Sequence, residues 1–178
     1  MTMSSAILIS LGICVVGAIL EGVAAGKNVK SFFAKLRFPP YSPPLWVWYI
    51  IGVFYYATCF FIIYRIVIHD GDAVLKYIAL TLILVIMAVN AVWNYIFFRA
   101  QNLYLSFISW IPYSLVSVAL FVFLIQFEKI AALAFLPYLL YLFYALWWER
   151  SLWKLNGDLE SITNSSDALL HRYPAKLN

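Results

Sequence analysis

Five apolar runs, at residues 6–25, 44–68, 74–98, 103–125 and 130–153, take up most of this 178-residue chain and constrain its fold more than any other feature. A helix rises about 1.5 Å per residue, so a hydrocarbon core ~30 Å thick is crossed by roughly 20 residues. Each run meets that length. In lipid, every backbone N–H and C=O must find a partner within the protein, which leaves helices or a closed barrel. Runs of this length without period-2 alternation exclude the barrel. The expected fold is therefore all-α and integral to the membrane. It is a bundle of five transmembrane helices forming one domain over residues 1–156, followed by a polar tail over residues 157–178. With 65% of residues hydrophobic and 11% charged, the chain exposes too much apolar surface for a soluble monomer. The lipid bilayer is its first partner, and no nucleic-acid motif, phosphate-binding glycine loop or internal repeat is present.

Charge is read by position, because membrane orientation follows Lys and Arg counted loop by loop. Of twelve such residues, nine fall with the C-terminus and three with the N-terminus. The expected topology is N-terminus outside and C-terminus cytoplasmic, in a bacterial inner membrane or a eukaryotic organelle membrane. Met1–Ser5 lacks the basic stretch of a cleavable signal. Cys14 and Cys59 fall mid-span, where a small apolar packing role is the expectation. His69 and His171 lie in polar connections and are read as solvated, with no metal site.

The connection over residues 26–43 is much longer than the other three. It carries Phe32, Phe33, Leu36, Phe38 and Tyr41, too much apolar surface for a solvated linker, and is expected to fold back over the bundle as a lid. Ala18, Gly22 and Gly26 form a four-residue stripe of small residues in the first helix, expected to admit a closely packed helix from this chain or a second copy. Pro112 and Pro137 interrupt the hydrogen bonding of the fourth and fifth helices.

Several residues have the chemistry of a site. Asn90 and Trp93 share a helix face with Phe97, and a buried amide needs a partner, either on a neighbouring helix or on a ligand in an apolar pocket. Trp153 and Trp148 are placed in the interfacial aromatic belt. Glu21 and Glu149 stand inside the spans, where a carboxyl is by default paired, protonated or functional. The structural alternative gives Glu149 to Arg150 or to water at the boundary, and Glu21 to the lysines of the first loop. The functional one makes them an acid–base couple in one cavity under the lid.

The segment Phe38–Val47, with Pro39, Pro43, Pro44, Trp46 and Val47, resembles the second-helix entry K-P-x-W-x-P-P-x-W-V of the translocator protein, or tryptophan-rich sensory protein, family. Ala88-Val89-Asn90, Trp93 and Phe97-Phe98 are similar to that family's A-L-N-x-x-W-x-x-x-F-F. Pro137-Tyr138-Leu139, Ala145 and Trp153-Lys154-x-Asn156 are similar to its fifth-helix pattern. The likeness runs over residues 32–156, with departures: Tyr41 and Tyr141 replace tryptophans, Ile50 and Gly52 replace Pro and Trp, and Glu149 replaces an Asn. The resemblance implies a five-helix bundle, commonly a homodimer, whose first loop caps a cavity for porphyrins, including haem, or for sterols and synthetic aromatics. Carried onto this chain, the ligand-binding positions are Pro44, Trp46, Asn90, Trp93, Phe97, Tyr138, Tyr141 and Ala145. The functional expectation is a receptor or carrier for a flat hydrophobic ligand such as a tetrapyrrole or sterol. The competing expectation is a membrane enzyme acting on an isoprenoid, sterol or porphyrin, with Glu21 and Glu149 as catalytic acid and base.

Overall fold

A computed structural model describes residues 2–172, and their side chains as far as Gly157. Its elements are α1 (Met3–Ala25), α2 (Val29–Phe33), α3 (Leu45–Ile68), α4 (Ala73–Asn94), α5 (Leu103–Phe127) and α6 (Lys129–Arg172), with a π-helical turn over Tyr95–Arg99 after α4. Five of these helices are long and apolar enough to cross a membrane. The expected spans agree with them to within a few residues at all but two ends. The third run closes in the π turn, where Ala100 N–H donates to Tyr95 O. The fifth helix continues past the expected boundary near Trp153 to Arg172, in a stretch without proline before Pro174. His171 lies outside the described side chains.

Helix starts are set by local chemistry. Thr2 Oγ1, Asp72 Oδ1 and Asn102 Oδ1 each accept from a backbone N–H in the first turn of the following helix, satisfying donors that have no intrahelical partner. Pro44, extended at φ −65°, ends the lid and starts α3. Pro112 and Pro137 lie within continuous helices.

The helices close into a ring. α1 packs between α3 and α4, α3 against α6, α6 against α5, and α5 against α4. Ile62, Ile63, Ile83, Leu120, Leu124 and Phe135 fill the core on the side away from the lid. Buried hydroxyls return to their own helices, as Ser10 Oγ does to Ala6 O and Ser117 Oγ to Tyr113 O. That is the economical solution where no water is available.

No described helix of this chain packs on the small-residue stripe. A Cβ at Gly22 or Gly26 would meet nothing within 4 Å, and Ala18, Gly22 and Gly26 face open space. The close approach of α1 to α4 occurs instead at Gly17, where a Cβ would fall 2.6 Å from Met87 Cε. At Gly26 the φ of +74° ends α1 in a conformation suited to glycine.

At the end opposite the lid, Glu128 joins three helix ends. Arg65 Nη2 donates to Glu128 Oε1 at 2.8 Å, and His69 Nδ1 lies 2.7 Å from Glu128 Oε2. His69, expected to be solvated, is thus a half-buried partner of this carboxylate and rests on the Phe127 ring. Burial pushes the Glu128 carboxyl up, but the hydrogen bonds and charges of Arg65 and His69 outweigh it and hold the group below its usual value.

Candidate functional site: an aromatic cavity beneath the lid

The connection over residues 26–43 is ordered by what it buries. Its short helix α2 puts Phe32 and Phe33 into the bundle mouth, and Leu36 follows one turn on. Phe32 meets Phe97 edge-on at 5.5 Å, and Phe38 stacks over Trp148 at 6.5 Å. The final helix then fastens the segment with polar contacts. Asn156 Oδ1 accepts from Arg37 N–H at 2.8 Å, and Asn156 Nδ2 donates to Arg37 O at 2.9 Å. Trp148 Nε1 donates to Ser42 Oγ at 2.6 Å, and the Tyr144 hydroxyl donates to Tyr41 O at 3.1 Å. The expected lid is present, and α6 is the frame that holds it.

Beneath it lies a cavity of about 380 Å³ bounded by α1, α2, α3, α4, α5 and α6, within the ~300–1,000 Å³ range of small-molecule sites. Of the eight expected ligand-binding residues, six line it: Asn90, Trp93, Phe97, Tyr138, Tyr141 and Ala145. Trp93 and Phe97 stack at 5.1 Å with planes 16° apart, one helical turn from each other. Tyr138 is also fixed from behind, its hydroxyl 2.6 Å from that of Tyr113.

Pro44 and Trp46 do not line the cavity. Pro44 is the residue before the first turn of α3, and Trp46 is 62% exposed. The indole that α3 contributes is Trp48, whose Nε1 donates to Pro43 O. At about 100° per residue, positions two apart point roughly 200° apart, so only one of Trp46 and Trp48 can face inward. Trp48 does so together with Gly52 and Tyr55, four and seven residues on. Two more tryptophans belong here. Trp148, placed in the interfacial belt from sequence, is only 2% exposed and lines the cavity, as does Trp110 from α5. The i, i+4, i+7 spacing from Trp48 was available in the sequence. Trp110 carried no comparable local signal. Trp153 stacks on Phe107 at 5.7 Å and stays out of the cavity.

Glu21 and Glu149 both line this one cavity. Neither makes the ion pair that the structural alternative required: among the described residues, only Glu128 is ion-paired. Glu21 Oε1 accepts from Asn90 Nδ2 at 2.7 Å, so the amide's partner is a carboxylate on α1. Glu149 is 1% exposed, and its Oε2 accepts from Ser106 Oγ at 3.0 Å. Its Oε1 has no hydrogen-bond partner, nor do Trp93 Nε1 and Trp110 Nε1. Both indoles line the same chamber as the carboxyl.

The fold and cavity define an all-α membrane protein with a lidded, internal aromatic chamber. The TspO/MBR family model matches residues 10–154, and the chain belongs to that family. No curated protein matches it. Family membership supports a ligand-binding or transport role at a membrane.

Proposed function

We propose that this protein is a membrane receptor or carrier that takes a flat hydrophobic ligand, a tetrapyrrole or a sterol-like polycycle, into the chamber beneath the lid. The observation that carries this reading is the chamber's wall. Trp48, Trp93, Phe97, Trp110, Tyr138 and Trp148 supply ring faces, with few polar groups among them. Stacked aromatic pairs add about 0.5–1.5 kcal/mol beyond buried area, and an apolar wall with a few placed polar atoms is how small-molecule sites combine affinity with orientation. The wall contains no His, Cys or Met. A porphyrin would be held by stacking, and a haem iron would have to draw on a tyrosine.

A second reading, a membrane enzyme, is favoured by one observation: two carboxyls without cationic partners line the same chamber. Glu149 and Glu21 would then exchange a proton with a lipophilic substrate. On either reading the N-terminus is outside, the lid and C-terminus are cytoplasmic, and two copies form a homodimer. The test is a titration of the purified protein with porphyrins, sterols and isoprenoids, followed by Trp fluorescence, with each ligand recovered and weighed by mass spectrometry. Saturable binding with the ligand unchanged supports the receptor. Product in stoichiometric excess supports the enzyme, and no saturable binding of any ligand overturns both.

A further inference from the structure

Outside the chamber, the lid end of the bundle carries a second concave site with charge at its rim. The last turns of α1 pack there against the π turn that follows α4, and a groove of about 650 Å³ lies between them. Ile19, Val23 and Phe98 wall it, and Lys27, Asn28 and Arg99 bring the polar groups, with no acidic residue in the lining. It backs onto the chamber across Gly22 and Gly26, but apart from Phe98 none of those six residues lines the chamber. Neither cation is ion-paired among the described residues. The Arg99 guanidinium lies over the Tyr95 ring, 5.8 Å from its centroid, and the Asn28 side chain makes no capping bond to α2. Ile19 and Val23 are exposed. The groove thus joins apolar surface at membrane depth to two uncompensated positive charges at the membrane boundary.

We propose that this groove binds one phospholipid of net negative charge, its phosphate between Lys27 and Arg99 and an acyl chain along α1. Charge complementarity selects the headgroup. Arginine presents a planar fork that matches two phosphate oxygens, lysine supplies a mobile point charge, and the Asn28 amide adds a neutral donor. A zwitterionic headgroup would bring its own cation against these two, and a sterol would leave both unanswered. A second copy of this chain fits badly, because an isologous contact sets the groove against its own image and cations against cations. The acyl chain also has a track. One leaflet is half of the ~30 Å core, or about 10 residues of helix, which runs from Lys27 back to about Gly17. Over that stretch α1 borders a second, wholly apolar groove against α4, whose lining includes Val16, Gly17, Leu20 and Ala88. Glycine and alanine leave width there for an alkyl chain. Under the proposed orientation the charged rim faces the cytoplasmic leaflet, which is the anionic one, although the site itself does not depend on that orientation.

Native mass spectrometry of the delipidated, full-length protein tests this, because it counts bound lipids singly and reads subunit number in the same spectrum. The protein is titrated with palmitoyl-oleoyl phosphatidylglycerol and with palmitoyl-oleoyl phosphatidylcholine, which share their chains and differ in headgroup charge. A Lys or Arg near an anionic surface contributes about fivefold in affinity, so the first phosphatidylglycerol should bind about 10- to 30-fold tighter than the first phosphatidylcholine. Lys27→Ala and Arg99→Ala should each reduce that preference about fivefold. Lys30→Ala and Lys35→Ala, which remove exposed lid charges outside the groove, should leave it unchanged. Glycerophosphoglycerol, the same headgroup without chains, should not displace the lipid at equal concentration. Equal binding of the two lipids, or equal losses in the groove and control variants, would overturn the site in favour of diffuse surface charge. Displacement by glycerophosphoglycerol would overturn the lipid in favour of a free phosphate ester. A dimer fraction that rises in Lys27→Ala or Arg99→Ala, with no headgroup preference in the wild type, would overturn the proposal and make the groove a subunit contact.

Discussion

Asn156 offers the sharpest separation between a lid that is merely draped over the bundle and one that is fastened to it. Its side chain is 1% exposed and spans the backbone of Arg37 with two hydrogen bonds, accepting from the N–H at 2.8 Å and donating to the carbonyl at 2.9 Å. Asn156→Ala removes both. A neutral hydrogen bond contributes about 0.5–1.5 kcal/mol net, so the loss is about 1–3 kcal/mol of lid closure, which multiplies the open population roughly 5- to 150-fold. The lid keeps its other attachments, the buried Phe32 and Phe33 rings and the Trp148 to Ser42 hydrogen bond. Local opening should therefore increase while the bundle stays folded. Hydrogen exchange read on peptides covering residues 29–42 should accelerate by that factor, with no change in peptides from the centre of α5. Ligand dissociation, followed by stopped-flow fluorescence, should quicken in parallel. Unchanged exchange at Arg37 and its neighbours in a folded Asn156→Ala protein would refute the idea that this amide holds the lid.

Three further outcomes follow from particular contacts. Trp48→Ala should weaken binding of a flat aromatic ligand by at least ~1 kcal/mol, the stacking contribution beyond area, whereas Trp46→Ala should leave the dissociation constant unchanged, because only Trp48 lines the chamber; fluorescence titration decides, and equal losses would sink the assignment. Gly17→Ile should destabilise the bundle by about 1–3 kcal/mol through overpacking against Met87, while Gly22→Ala, in a helix and with nothing within 4 Å, should not lower the thermal midpoint. Glu128→Gln should lower the thermal midpoint at pH 7 through a loss of ~1.5–3 kcal/mol of stability, as is typical of hydrogen bonds to charged groups. Because the folded carboxyl titrates below its unfolded value of about 4.3, its contribution is full above that pH and fades as pH falls through the folded value. The gap between wild type and Glu128→Gln should therefore close below about pH 4, and a gap that widened there would show the sign to be wrong.

What could be read from the sequence and what could not divides along physical lines. The five spans were legible because length and apolarity in lipid leave one solution, and residues 26–43 declared themselves a lid through Phe32, Phe33 and Leu36, all of which are buried. Positions carried over by motif line the chamber where the motif coincides with helical phase, as for Asn90, Trp93 and Phe97. Trp46 does not line it, because a linear pattern does not say which of two tryptophans two residues apart faces inward, and the spacing from Trp48 through Gly52 to Tyr55 does. The stripe through Gly22 admits no described helix of this chain, because small residues serve equally to admit a helix or to leave open space, and the difference depends on what lies opposite. His69 and Trp148 were misplaced for the same reason. Their partners, Glu128 and Ser42, are distant in sequence, and nothing local marks them.

Glu149 shows how the two kinds of information combine. That a carboxyl stands in a span, at a position where the family pattern has an amide, is plain from one line of sequence. That one of its oxygens goes unpaired is a property of three helices meeting. Ser106 on α5 supplies a donor to Oε2, while Oε1 has no donor and the N–H groups of Trp93 on α4 and Trp110 on α5 have no acceptor. An amide in that place offers both a donor and an acceptor to its surroundings, a carboxylate offers acceptors alone, and a protonated carboxyl adds one O–H donor. The Ser106 hydroxyl can answer any of the three, so what separates them is the Oε1 side of the group, where the structure supplies no donor.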